Sequence, residues 1–248
     1  MLARFADTQY ESEDTYRFID HVVALSGVEF ETLSQGKDIW DVFMERKMMR
    51  HPRRGCLASY HLKRIPLIDH ALSYAEPVTV MIGFGPDECD RVERLLAGND
   101  HYEITYDFPL RWSPKWWHCD VKSELKKRGV TTWPKAYEEG MGHNNCGRRC
   151  VQGGVNYYSL LWLDRPDSFR EEEVKESQFL TMLREEGRPE YTILRDRRGG
   201  TLKNMSLRQL RQELENGTRF PNERQRIKCG CDLATQMELF QLAQTSGD

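Results

Sequence analysis

Short β-rich runs alternate with helical patterns through the first third of the chain, and that alternation restricts the fold to an α/β class built on a parallel sheet. Leu2 to Ala6 reads as a buried strand. Ser12 to Leu25 follows as a helix, with Ser12 placed to cap it, Ile19, Val22 and Val23 as its apolar stripe and Gly27 at its end. Val28 to Leu33 alternates as a second strand, and Asp38 to Arg46 is a helix with Ile39, Trp40, Val42 and Phe43 toward the sheet. Pro66 stands in the first turn of a helix to Tyr74; Val78 to Ile82 then reads as a buried strand, Asp87 to Leu96 as a helix and Tyr102 to Phe108 as a strand. The expected architecture is a doubly wound, mostly parallel sheet over residues 1–110, with a Cys- and Trp-rich, mainly helical region over 111–248 packed on it. That second region carries expected helices at 121–127, 155–163 and 168–185, a strand at 191–194, a turn at 195–200, and a helix capped by Ser206 that ends at Asn216-Gly217.

Lys and Arg number 36 against 39 Asp and Glu, a net charge of −3, which excludes a wholly basic nucleic-acid coat and leaves only local patches. No apolar run approaches the roughly 18–20 residues that span a bilayer. The opening, Met1 to Asp7, offers no basic n-region, long apolar region or cleavage site, so a cytoplasmic location and no membrane contact are expected. Seven cysteines in such a chain point to metal binding or reactive chemistry rather than to a disulfide framework.

Four segments carry candidate chemistry. Asp7 and Thr8 end the first strand, where ligands of open parallel sheets sit, although a helix-capping turn explains them equally. Cys56 to Pro66, with Lys63, follows a basic run of Arg46, Lys47, Arg50, Arg53 and Arg54 that can hold a phosphate or be a solvated loop. Gly83-Phe84-Gly85-Pro86 makes a tight turn before a helix carrying Arg91 and Arg94. Cys146 and Cys150, with Cys229 and Cys231, can supply four thiolates to zinc or an iron-sulfur cluster, with His118 and His143 as extras. Cys89 and Cys119 are assigned to the core, Trp112, Trp116, Trp117 and Trp133 to packing, Glu171-Glu172-Glu173 to a solvated helix face, and Arg195 to Gly200 to a charged turn.

Taken together, Phe5-Ala6-Asp7-Thr8 with Thr15-Tyr16, Cys56 with Leu62-Lys63 and Pro66, and Ile82-Gly83-Phe84 with Glu88 and Arg91 resemble the phosphoadenosine phosphosulfate reductase-like family of PP-loop ATP pyrophosphatases, the adenine nucleotide alpha-hydrolases. His143 to Val151, Leu194 to Gly200 and Cys229-Gly230-Cys231 resemble that family's C-terminal region. The resemblance implies an adenine nucleotide held at Phe5, Ala6, Asp7, Thr8 and Gly83, its base near the Phe5 and Ala6 backbone and its phosphates near Lys63 and Arg91. Lys63, Arg91 and Cys56 are the catalytic residues it implies. The cofactors it implies are ATP or a related nucleotide with Mg, and zinc or an iron-sulfur cluster on Cys146, Cys150, Cys229 and Cys231. The activity it implies is ATP cleavage between the α and β phosphates with sulfur transfer, or sulfonucleotide reduction. The family's Ser-Gly-Gly-x-Asp-Ser loop after its first strand is not found here, and the sequence aligns from the family's second strand. The family's first strand is central, so the two edges beside it need a rebuilt sheet, a strand ahead of this sequence, or one from another chain. The competing reading is a catalytically inactive derivative that binds a protein or nucleic acid (tRNA or DNA); a homodimer is compatible with either.

Overall fold

The computed structural model describes residues 1–218 apart from 53–54, 86–87, 100–101, 113–120, 138, 140–143, 197 and 199. Its first unit has the expected elements: β1 (Leu2–Asp7), α1 (Glu13–Ser26) and β2 (Glu29–Ser34) form a β-α-β unit whose strands run parallel from Leu2↔Glu29 to Asp7↔Ser34, but β1 is not the buried strand expected, since only Ala6 of it is buried. Gly27 stops α1 because its φ of 62° lies in the left-handed region, from which its N–H reaches the Val23 carbonyl at 3.0 Å. A reciprocal capping box starts α2 (Ile39–Arg46): the Asp38 carboxylate accepts from the Trp40 and Asp41 N–H groups at 2.7 and 2.9 Å, and Asp41 accepts from the Asp38 N–H at 2.8 Å. Ile39, Trp40, Val42 and Phe43 on this helix are buried.

Two-residue strands β3 (Arg50–His51) and β4 (Gly55–Cys56) pair antiparallel, and the chain then enters a helix at Leu57. Ser59–Arg64 of that helix is a π-helical stretch that continues into α3 (Ile65–Leu72). Pro66 therefore does not open the helix, as its position in the sequence implies, but sits inside a longer one. A proline removes one N–H and crowds the carbonyl four residues back. The widened turn, in which the Ile65 N–H reaches back five residues to the Tyr60 carbonyl, accommodates both.

Strands β5 (Thr79–Met81) and β6 (Thr105–Asp107) are parallel and joined through α4 (Cys89–Ala97). The expected buried strand over 78–82 is corrected here: Thr79 is exposed and Met81 is 57% exposed, and among the described residues β5 has a strand partner on one edge only. Cys89 is exposed as well, its sulfur accepting from Arg111 Nη2 at 3.1 Å, and does not join the core.

After α5 (Pro109–Trp112) and α6 (Val121–Lys127) come α7 (Val155–Asp164) and α8 (Pro166–Glu185). They are followed by an antiparallel pair, β7 (Leu194–Asp196) with β8 (Lys203–Met205), and by α9 (Leu207–Glu215). The strand expected at 191–194 thus begins where its range ends. Ser206 caps α9 as its sequence predicts, with Gln209 completing the box. Among the described residues the protein is a mixed α/β structure of two parallel and two antiparallel strand pairs, each a separate two-stranded sheet. Its main core gathers Tyr10, α2, Leu57 and Leu62 from the first part of the chain and Tyr158, Phe169, Phe179 and Leu210 from the second.

The acidic run on α8 is not a solvated face. Phe169, Glu172, Glu176, Phe179 and Leu183 recur at spacings of three and four and are all buried. The Glu172 carboxylate accepts from the Tyr10 hydroxyl and, at 3.1 Å, from Trp40 Nε1. Glu173 faces α9 and pairs with Arg211 at 2.7 Å. Glu171 remains outside, 3.4 Å from Arg149.

Candidate functional site

A cleft of about 1020 Å³ opens between the β1 and β5 strand pairs. One wall is Leu2, Ala3 and Arg4 of β1, the other Val78 to Phe84. The π-helical stretch, α3 and α4 contribute the rest. Its lining holds five permanent cations, Arg4, Lys63, Arg64, Arg91 and Arg94, and among the described residues that line it there is no Asp or Glu. Such a concentration of one sign in a partly enclosed space favours anions, although Arg4, Lys63 and Arg91 already pair with Glu31, Glu11 and Glu88 outside that lining.

Lys63 and Arg91 reach the cleft from different elements, the π-helical stretch and α4. Lys63 projects from the π-helical stretch, and its Nζ is 2.9 Å from Glu11 Oε1; the same oxygen accepts from the Thr8 hydroxyl at 3.2 Å. Glu11 thereby ties Lys63 to the carboxyl end of β1. Arg91 pairs with Glu88 one helical turn away and lies over the Phe84 ring at 4.3 Å; Phe84 itself stacks on Phe108 at 6.0 Å. The second oxygen of Glu88 accepts from the Gly85 N–H at 2.7 Å, so the turn after β5 and the arginine are fixed by one carboxylate. Arg64 is held by the Gly98 carbonyl at 2.8 Å and Asn99 Oδ1 at 3.0 Å.

The predicted site residues are only partly united. Lys63, Gly83 and Arg91 line the cleft. Phe5, Ala6, Asp7 and Thr8 sit on β1 or just past its carboxyl end without lining it: Ala6 and Thr8 are buried, Phe5 packs edge-on to Tyr16 at 6.2 Å, and Asp7 accepts from the Tyr16 hydroxyl at 2.7 Å. Burial and the neighbouring Asp7 push the Tyr16 hydroxyl well up, so it stays a donor. Cys56 is a buried thiol in the main core. Arg4 was not foreseen. Its Nε donates to His70 Nε2 at 2.8 Å and its Nη2 to the Tyr74 hydroxyl at 2.9 Å, at the amino end of the strands. A single arginine within a six-residue strand carries no local signal of such a role.

The cysteine pair lies apart from the cleft. Cys146 and Cys150 flank a tight turn in which Cys146, Gly147 and Arg148 take φ values of 54°, 56° and 69°. Both thiols are free and Cys150 is buried, and burial pushes the Tyr157 hydroxyl up, with the two sulfurs adding to it. Cys229, Cys231, His143, His118, Cys119, Trp116 and Trp117 lie outside the described residues. Among the described residues no group of three or more His, Cys, Asp or Glu side chains is placed to hold a metal ion. Trp133 packs on Phe18 at 5.5 Å, as a core tryptophan does. A Cβ at Gly147 would stand 2.9 Å from the Tyr10 carbonyl oxygen and 3.2 Å from the Ser12 nitrogen, both backbone atoms. Gly147→Ala is therefore expected to cost about 1–3 kcal/mol from strain and left-handed φ together, read as a lowered thermal midpoint.

No protein-family model, no curated protein and no solved structure matches the chain. No helix among the described residues is long and apolar enough to cross a membrane.

Proposed function

We propose that the cleft binds an adenine nucleotide and that the chain is a phosphoadenosine phosphosulfate reductase-like member of the PP-loop ATP pyrophosphatases, its two parallel strand pairs being halves of a doubly wound sheet. The observation that carries the reading is the cleft's acid-free cationic lining, in which Lys63 and Arg91 stand toward the carboxyl ends of β1 and β5, where ligands of such sheets sit. Lys63 and Arg91 would neutralise the phosphates, an electrostatic role that also suits a departing pyrophosphate or a sulfonucleotide. Mg would arrive with the nucleotide's phosphates. Cys146 and Cys150, one turn apart, suit half of a thiolate site for zinc or an iron-sulfur cluster whose other half is Cys229 and Cys231. When bound, that group would brace the C-terminal region.

Titration calorimetry with ATP and with adenosine phosphosulfate tests this directly. Saturable binding is expected, weakened about tenfold in Lys63→Ala and again in Arg91→Ala, since each removes one charge-assisted contact. No binding to the parent protein would sink the proposal. The second reading, binding without turnover, is favoured by the carboxylates of Glu11 and Glu88 that already engage both cations. ATP-dependent pyrophosphate release separates the two.

A further inference from the structure

We infer that Glu11 is a positioning residue of the cleft: it holds Lys63 where an incoming phosphate-type oxyanion needs an ammonium. The inference rests on the reading of the cleft as a phosphate site and not on the adenosine that the phosphate carries. A lysine on its own is a costly anion receptor, because its flexible four-carbon stem spreads the charge over many rotamers that binding must give up. A carboxylate that has already fixed the stem removes that cost from the binding step. The same carboxylate also takes away part of the charge that a ligand would meet. The sign of its net effect therefore separates a support from a competitor.

Glu11 is built as a support. Its side chain is 5% exposed, while that of Lys63 is 32% exposed in the cleft lining. The holder is buried and the held group is presented, unlike a surface pair in which both partners are solvated and the bond is worth little. The Oε1 that accepts from Lys63 Nζ at 2.9 Å also accepts from the hydroxyl of buried Thr8 at 3.2 Å, which anchors the carboxylate to the end of β1. The main chain on both sides of Glu11 is braced from the second part of the molecule. Gly147 lies so close that a Cβ there would stand 2.9 Å from the Tyr10 carbonyl oxygen and 3.3 Å from the Glu11 carbonyl carbon. Asn144 Nδ2 donates to Thr15 Oγ1 at 2.6 Å, and the Arg149 guanidinium covers the Tyr10 ring at 3.9 Å. The Tyr10 hydroxyl is in turn bonded to buried Glu172. A carboxylate fixed from so many sides aims its partner rather than following it.

Titration calorimetry of the full chain with inorganic pyrophosphate reads the sign. Saturable binding to the parent is expected, weakened about fivefold in Glu11→Ala, since the ligand must then order the lysine itself. Glu11→Gln keeps an acceptor for Lys63 and Thr8 and removes the competing charge, so it is expected to bind at least as tightly as the parent. In the Lys63→Ala background the loss on Glu11→Ala is expected to vanish, because the carboxylate acts through the ammonium; a glutamate that only stabilises the fold would weaken both backgrounds alike. Should Glu11→Ala lose its circular dichroism, Glu11→Asp, one methylene shorter, takes its place with the same expectations. Binding that tightens or stays unchanged in the folded alanine or aspartate variant overturns the inference. So does a glutamine variant as weak as alanine, a loss that persists without Lys63, or a parent that binds no pyrophosphate. Pyrophosphate binding that ignores Glu11 removes this inference alone, whereas pyrophosphate binding without ATP binding removes the nucleotide reading alone.

Discussion

Replacing Glu176 by leucine is expected to destabilise the protein by about 2–5 kcal/mol, a large part of the 5–15 kcal/mol that holds a typical domain together. Glu176 is buried on α8, where one oxygen accepts from the Ile193 N–H at 2.8 Å and the other from the Leu207 N–H at 2.6 Å. Leu207 is the first residue of α9, whose opening N–H groups have no partner within the helix. One carboxylate thus joins α8, the approach to β7 and the start of α9. Leucine fills the space and spares the desolvation of a charge, which offsets part of the loss, but it leaves two buried donors unanswered at roughly 1–3 kcal/mol each. Glu176→Gln keeps an acceptor and is expected to lose less. Urea unfolding of both variants checks the order; a leucine variant within about 0.5 kcal/mol of the parent would mean that water replaces the carboxylate.

The second large effect is in pH. Burial pushes Glu172 and Glu176 up to about 7 each, more than the hydrogen bonds and cations around them pull down. An unfolded glutamate titrates near 4.5, so between about pH 4.5 and 7 the folded state holds protons that the unfolded state has released. Their contribution is complete below about pH 4.5 and is lost as the pH rises through 7. The size is about 3 kcal/mol per group, less for the pair because Glu172 contributes to the rise of Glu176. Unfolding free energy should therefore fall from pH 5 to pH 8, and the Glu172→Gln, Glu176→Gln double variant should flatten that slope. Two other acids act outside this window. Burial raises Asp14, but bonds from Ser12 and the Lys135 N–H hold it below its usual 3.8, and Arg198 holds Asp196 at about 2. Their contributions are lost only in stronger acid, and an unchanged slope in the double variant would refute the assignment.

What was legible in the sequence was local. The Ser206 cap, the left-handed stop at Gly27 and the buried stripe of α2 each depend on residues within a turn or two, and each stands where the pattern puts it. Glu172 was misread because charge was weighed ahead of position; its spacing from Phe169 and Phe179 already placed it on the apolar stripe. Pro66 was misread because a π-helical turn has no compositional mark. The apolar run over 78–82 fits a buried strand in any context, while among the described residues β5 is paired on one side only and Met81 is exposed. The same long-range fact hides the cleft: Lys63, Gly83 and Arg91 were found through their motifs, while Arg4 belongs to it by topology alone.

The bond from Tyr10 to Glu172 spans 162 residues, and that from Trp40 spans 132. On a ribosome adding roughly 5–20 residues each second, Tyr10 waits on the order of ten to thirty seconds for its partner to be made. Throughout that interval Ile39, Trp40 and Phe43 lack the part of their core that Phe169, Phe179, Leu183 and Leu210 supply. The nascent chain therefore carries an aromatic surface in search of cover for most of its synthesis, and its yield in a cell depends on holdase chaperones more than its finished fold implies.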